Sequence, residues 1–179
     1  AVPFCVAERD FLILRYMMKQ KLFFTIVLLM FISAAVQAQP RQGQIAADIA
    51  LPTAKGDTIH LSSLRGKVVL LDFWASWCGP CRVANRGLSK IYSKFKDKGF
   101  EIFSVSFDAD RSDWLSAVRQ DKINWLQVND PDINKSAVAL YWEVYSIPTT
   151  YLIDRDGKLL AMDLEGKNLE NALKKLIDK

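Results

Sequence analysis

Eight consecutive residues near the middle of the chain restrict its fold more than any other stretch. Lys67-Val68-Val69-Leu70-Leu71-Asp72-Phe73-Trp74 is almost continuously apolar and lacks the alternation of a strand with one wet face. Such a run is a central strand covered on both faces, so the fold must supply layers above and below it. Directly after it comes Trp77-Cys78-Gly79-Pro80-Cys81. Residues 80–98 then carry Leu88, Ile91, Tyr92 and Phe95 at helical spacing, and Gly99 supplies the stop. A buried strand therefore runs into a helix through a turn that holds two cysteines.

The flanking pattern predicts an α/β fold. Residues 49–51 and 58–61 read as a hairpin around a Gly-containing turn, and residues 62–66 as a turn into the main sheet. Strands are expected over 100–107 and 125–128. Between them lies a helix over 108–121, capped by Asp110 or Ser112, with Trp114, Leu115 and Val118 facing inward. A short helix over 134–142, a hairpin of 149–154 and 158–164 around Asp156-Gly157, and an amphipathic helix over 169–177 close the chain. The expected architecture is a mixed central sheet flanked by helices on both faces, with an N-terminal β-hairpin extension. No glycine-rich phosphate loop is present, so the fold must owe its function to something else.

Charge narrows the choice further. The chain carries a formal +4, but Arg9, Arg15, Lys19 and Lys21 against Glu8 and Asp10 all precede residue 39, leaving 20 basic against 18 acidic residues. A net +2 does not suggest a nucleic-acid partner, and the lysines at 94, 96 and 98 read as a solvated helix face. Residues 17–38 have the order of a signal peptide: Met17-Met18-Lys19-Gln20-Lys21, an apolar run over 22–36 broken only by Thr25 and Ser33, then Gln37-Ala38. Cleavage after Ala38 would start the mature protein at Gln39. Fifteen residues is short for a bilayer helix of about 20, and an uncleaved leader anchoring the domain is the alternative. Residues 1–16 read as a start-site or expression remnant, 39–47 as a flexible lead-in and 48–179 as the domain. Export places the domain in a compartment where thiols are oxidised, so a C-x-x-C pair must be kept reduced by a partner or act as an oxidant.

Cys78 and Cys81 would be the cysteines left after cleavage, since Cys5 leaves with the leader. The first sulfur falls at a helix N-terminus, where free amide protons and the positive end of the dipole favour a thiolate, so Cys78 is the nucleophile. Pro80 suits the first turn of a helix, where its missing N–H has no partner to lose. Cys81, one step inside, is the resolving thiol, which needs a proton acceptor because only the thiolate attacks. Asp72 is the candidate, a carboxyl in an apolar run where desolvation raises its pKa. The competing reading turns it outward on an edge strand; the apolar neighbours on both sides favour burial.

The stretch Val69-Leu70-Leu71-Asp72-Phe73-Trp74-Ala75-Ser76-Trp77-Cys78-Gly79-Pro80-Cys81-Arg82 resembles the active-site segment of thioredoxin. Asp72 falls where that family has its buried Asp, and Tyr145-Ser146-Ile147-Pro148-Thr149 matches the segment that carries its cis-proline. The resemblance implies a thioredoxin-like fold in which Pro148 lies against the sulfurs and Ile147 offers backbone hydrogen bonds to an extended substrate. It implies a substrate surface of Trp77, Gly79, Pro80, Ile147 and Pro148. Residues 150–158 and 61–67 are similar to the exported TlpA and ResA-like branch, so the resemblance covers about residue 45 onward. That branch implies a location in the periplasm and a reductase of exported disulfide-containing proteins, fed by a membrane dithiol donor, with no cofactor beyond the Cys78–Cys81 disulfide, working as a monomer. Two departures stand out. Arg86 occupies the position of a helix-kinking proline, and Val83-Ala84-Asn85 lacks a carboxylate that the branch often has there.

Rival readings are weaker. Structural zinc needs about four ligands, whereas the chain past the leader offers two cysteines and His60, which reads as a hairpin surface residue. A purely structural disulfide across so short a loop would constrain the unfolded chain little. A peroxiredoxin-like thiol peroxidase would have Thr where Ala75 stands, and a non-catalytic carrier or chaperone would use the groove beside Pro148 without needing either thiol. Trp74 is expected in the core, Trp77 on the rim, and Trp125 and Trp142 as packing residues.

Overall fold

The computed structural model describes residues 15–25 and 40–177, which belong to two units divided after Gln39. In the first unit, residues 15–25 form a helix, α1. Residues 1–14, most of the expected apolar leader and the cleavage position after Ala38 lie outside the described residues. No described helix is long and apolar enough to cross a membrane.

The second unit opens with an antiparallel hairpin of β1 (Ala50–Pro52) and β2 (Thr58–His60). His60 is exposed on it and pairs with Asp48, 2.8 Å away. The main sheet contains β3 (Val68–Trp74), β4 (Phe100–Ser106), β5 (Leu126–Asn129), β6 (Thr149–Ile153) and β7 (Leu159–Met162). Its order is β5-β4-β3-β6-β7. The β3 strand runs parallel to β4 and antiparallel to β6, and every residue of β3 and β4 is buried. The strand that reads as covered on both faces, β3, is therefore the central one of the five.

Four helices accompany the sheet: α2 (Gly79–Phe95), α3 (Arg111–Gln120), α4 (Ala137–Tyr141) and α5 (Gly166–Ile177). Alternation along β3 divides it between two cores. Val68, Leu70 and Trp74 pack with Cys81, Leu88 and Phe95 of α2, Trp114 and Ala117 of α3, and Leu169 and Leu173 of α5. Val69, Leu71 and Phe73 pack with Ala139 of α4 and with Ile49, Leu61 and Leu64 from the N-terminal segment. Asp72, in step with Leu70 and Trp74, is on the α2 and α5 face.

The helices depart from the sequence expectation both in where they end and in what they bury. The helix expected to reach residue 98 ends at Phe95, and Lys96–Lys98 tighten into a 3-10 turn before Gly99 takes a left-handed φ of 89°. Leu115 and Val118 of α3 are only partly buried, while Ala117 is buried. The helix expected over 134–142 contracts to α4. Ser136 starts it by accepting the Ala139 N–H at 2.8 Å, and Glu143, with φ 51°, ends it.

Candidate active site

Cys78 is the N-cap of α2. Its backbone is extended, and its sulfur accepts the Cys81 N–H at 3.2 Å, which satisfies one of the orphan amides at the helix start. Pro80 lies in the first turn, where no hydrogen bond is lost. Cys78 and Cys81 form a disulfide with Cα atoms 5.3 Å apart. Cys78 is 6 % exposed and Cys81 1 %. Gly79 and Pro80 are exposed beside them, and Trp77 stands out at 64 % exposure while Trp74 is fully buried.

The opposite wall is the loop entering β6. Its Ile147-Pro148 peptide is cis, and the Ile147 carbonyl oxygen lies 3.7 Å from Cys78 Sγ. A Cys78 thiol can donate to that oxygen, whereas the disulfide has no proton to give. Thr149 Oγ1 donates to the Ser146 carbonyl at 2.7 Å and pins the loop. Tyr145, just before it, is 84 % exposed.

Asp72 is buried on an inner strand rather than turned out at an edge. Its Oδ2 accepts a hydrogen bond from Ser104 Oγ at 2.7 Å. Burial pushes the carboxyl pKa up to about 6, and the Ser104 hydrogen bond moderates the rise. The carboxyl lines a cleft of about 640 Å³ with Ala84, Leu88 and Ile91 of α2, with Pro148 and Thr150, and with Leu164 before α5. The structure thus places Cys78, Cys81, Ile147 and Pro148 in one group and puts Asp72 beside Pro148 in the cleft beneath α2.

Several residues around the turn were not singled out from the sequence. Asp108, buried just past β4, accepts the Ser76 N–H and the hydroxyls of Ser76 and Ser106. Arg82 donates to the Ser76 carbonyl at 3.3 Å and forms a two-point ion pair with Asp121, to which Asn85 also donates. The hydrogen bonds and charge of Asp121 keep the Arg82 guanidinium above its usual pKa. Asp121, at the end of α3, thus sets a carboxylate against Arg82, and α2 is continuous through Arg86. One signal was available for Asp108: parallel strands β3 and β4 end at the same edge, so a polar residue just past either end falls beside the other.

With this geometry in view, comparison with known proteins gives a consistent answer. The AhpC/TSA family model matches residues 42–162. The thiol-disulfide oxidoreductase ResA of Bacillus thuringiensis (strain Al Hakam) is 31 % identical over 177 residues, an alignment covering 89 % of this chain and 99 % of the relative. Among solved structures, the thioredoxin domain of a Bacteroides vulgatus thiol-disulfide oxidoreductase superposes with a TM-score of 0.72 at 36 % identity, covering 76 % of this chain and 98 % of that one. A thiol-disulfide oxidoreductase from Bacteroides fragilis gives 0.69 at 35 % identity, covering 74 % and 99 %.

Proposed function

The chain belongs to the AhpC/TSA family and is a thiol-disulfide oxidoreductase, and from that premise we propose that it reduces disulfides of exported proteins through a Cys78/Cys81 dithiol. One observation carries the reading: Cys78 Sγ caps α2, is bonded to Cys81, and faces the Ile147 carbonyl of the cis-Pro148 loop. In the reduced protein the α2 N-terminus favours the Cys78 thiolate. That thiolate attacks one sulfur of the substrate disulfide, and the other substrate sulfur leaves and takes a proton. Asp72 accepts the proton of Cys81, whose thiolate attacks Cys78 Sγ. The Cys78–Cys81 bond forms, the mixed disulfide breaks, and two electrons have passed to the substrate. An extended substrate segment pairs with the backbone at Ile147 and lies over Trp77, Gly79, Pro80 and Pro148. The cycle needs no cofactor beyond the disulfide itself.

The basic, apolar and small-residue order of residues 17–38 supports export to the periplasm, with cleavage near Ala38 or retention as an anchor. In that compartment a membrane dithiol donor returns the pair to its reduced form. The Gly79-Pro80 dipeptide, shared with reducing thioredoxins, supports electron donation over acceptance. A thiol peroxidase is disfavoured by the methyl side chain of buried Ala75 at the position where that class has Thr.

The first test is the reduction potential of the full chain, equilibrated in glutathione buffers with free thiols trapped. A value near about −270 mV supports a reductase, and one near about −120 mV makes the protein an oxidant. No reversible dithiol couple would remove the thiol-exchange reading.

A further inference from the structure

Asp72 has two oxygens, and its buried neighbours distinguish them. Trp125 Nε1 donates to Ser104 Oγ at 2.8 Å, and Ser104 Oγ lies 2.7 Å from Asp72 Oδ2, all within the core. An indole N–H can only donate, so it occupies an acceptor position on Ser104 and leaves the single hydroxyl proton for Asp72. The sheet builds this chain of bonds: Asp72 on β3 is registered with Ser104 on β4, and Trp125 immediately precedes β5 on the far side. Because Oδ2 faces a donor, a proton arriving at Asp72 goes to Oδ1.

Resting on the thiol-exchange cycle above, we infer that Ser104 and Trp125 are positioning residues that hold the Asp72 carboxyl in one orientation, present Oδ1 as its proton acceptor, and set the pH at which Cys81 is activated. In the resolving step the Cys81 S–H bond breaks and its proton passes to Oδ1. The Cys81–Cys78 bond forms as the bond from Cys78 to the substrate sulfur breaks. The electron pair leaves on that substrate sulfur, which is protonated from water, and Asp72 later returns its proton to water through the cleft it lines. A hydroxyl donor stabilises the carboxylate against the effect of burial, so it keeps the base ionised to lower pH. The other ionisable groups sharing the cleft are Lys90 of α2, Glu165 just before α5, and Lys167 and Glu170 of α5. Glu170 is paired with Lys94 and Lys174. Across the sheet the neighbours of Asp72 are the hydroxyl residues Ser104 and Thr150.

The test uses the full chain and two readouts: a carbon NMR titration of the Asp72 carboxyl in the oxidised protein, and the pH profile of the step in which Cys81 resolves a glutathione mixed disulfide on Cys78. Ser104→Ala is expected to raise both midpoints by about one to two pH units, the size of a hydrogen bond to a charged group. Ser104→Thr, which keeps the hydroxyl, restores them. Trp125→Phe raises them less, since Ser104 keeps its proton but loses its fixed orientation. Unchanged midpoints in folded Ser104→Ala would overturn the inference. Should that variant not fold, an unchanged midpoint in Trp125→Phe does the same. Absence of glutathione exchange at every pH would instead strike the proposed cycle, while the NMR titration still decides whether Ser104 and Trp125 control Asp72.

Discussion

Of the two bonded sulfurs, Cys78 keeps the larger exposure and lies against the loop where a substrate strand would pair, whereas Cys81 is enclosed by the α2 core. That asymmetry makes the two serine variants differ in kind. Cys81→Ser should leave the first attack intact and accumulate a mixed disulfide, visible by mass spectrometry as substrate bound through Cys78. Cys78→Ser should lower exchange to the uncatalysed rate with no adduct. Both cysteines were legible in the sequence because their chemistry depends on spacing along the chain, whereas Pro148 was legible only through the resemblance to thioredoxin. Ser104, Asp108 and Asp121 were not. Each is an ordinary polar residue whose partner is 32 to 39 positions away in sequence, and its meaning appears only when strand register and helix docking bring the pair together. Trp125 was read correctly as a packing residue, but its Nε1–H also has to find an acceptor in the core, as a buried indole usually does.

At the level of elements, the catalytic turn is held from both ends. Asp108 takes the Ser76 N–H and hydroxyl, and Arg82 takes the Ser76 carbonyl while being locked to the end of α3 through Asp121. Asp121→Ala takes the carboxylate from a partly buried guanidinium and removes the acceptor of buried Asn85, so a loss of about 1–3 kcal/mol is expected in denaturant unfolding. Because the Ser76 carbonyl loses its anchored partner, the Cys78–Cys81 potential should move as well, which an Asp121→Ala change acting on stability alone would not produce. The β6–β7 turn offers a second check. Gly157 has φ 82°, its carbonyl accepts the Ala46 N–H, and a Cβ there would run into the Arg65 guanidinium. Gly157→Ala should therefore cost about 1 kcal/mol or more. These turn and helix limits were the hardest features to read in the sequence. Hydrophobic spacing located α4, for example, but its start depends on Ser136, which caps Ala139 and also donates to Asp130.

Across the whole domain, the N-terminal segment closes what the five-stranded sheet leaves open. Thr53 bridges to Val128 on the β5 edge, and Ile45 bridges to Lys158 beside β7, so each edge is met at one point by the chain itself, which lessens pairing with other molecules there. The sheet's interior carries the opposite arrangement, a carboxyl placed where ionisation is unfavourable. Burial pushes the Asp72 carboxyl up to about 6 in the fold from an ordinary 3.8. The folded state thus holds the proton more tightly than the unfolded chain does. Its stabilising effect is complete below about pH 4 and is lost as pH rises through about 6. A difference of that size is worth on the order of 3 kcal/mol. Asp72→Asn, neutral at every pH and still able to accept from Ser104, should match the parent's stability near pH 4. At pH 8 it should exceed it by up to about 3 kcal/mol, measured as denaturant midpoints of the oxidised protein across that range. A variant no more stable at pH 8 than at pH 4, relative to the parent, would mean that Asp72 ionises in the fold without penalty. The same substitution removes the acceptor that Cys81 needs. The expected outcome is a more stable protein with a slower resolving step, and the stability given up at Asp72 is the measure of what a buried base demands from this sheet.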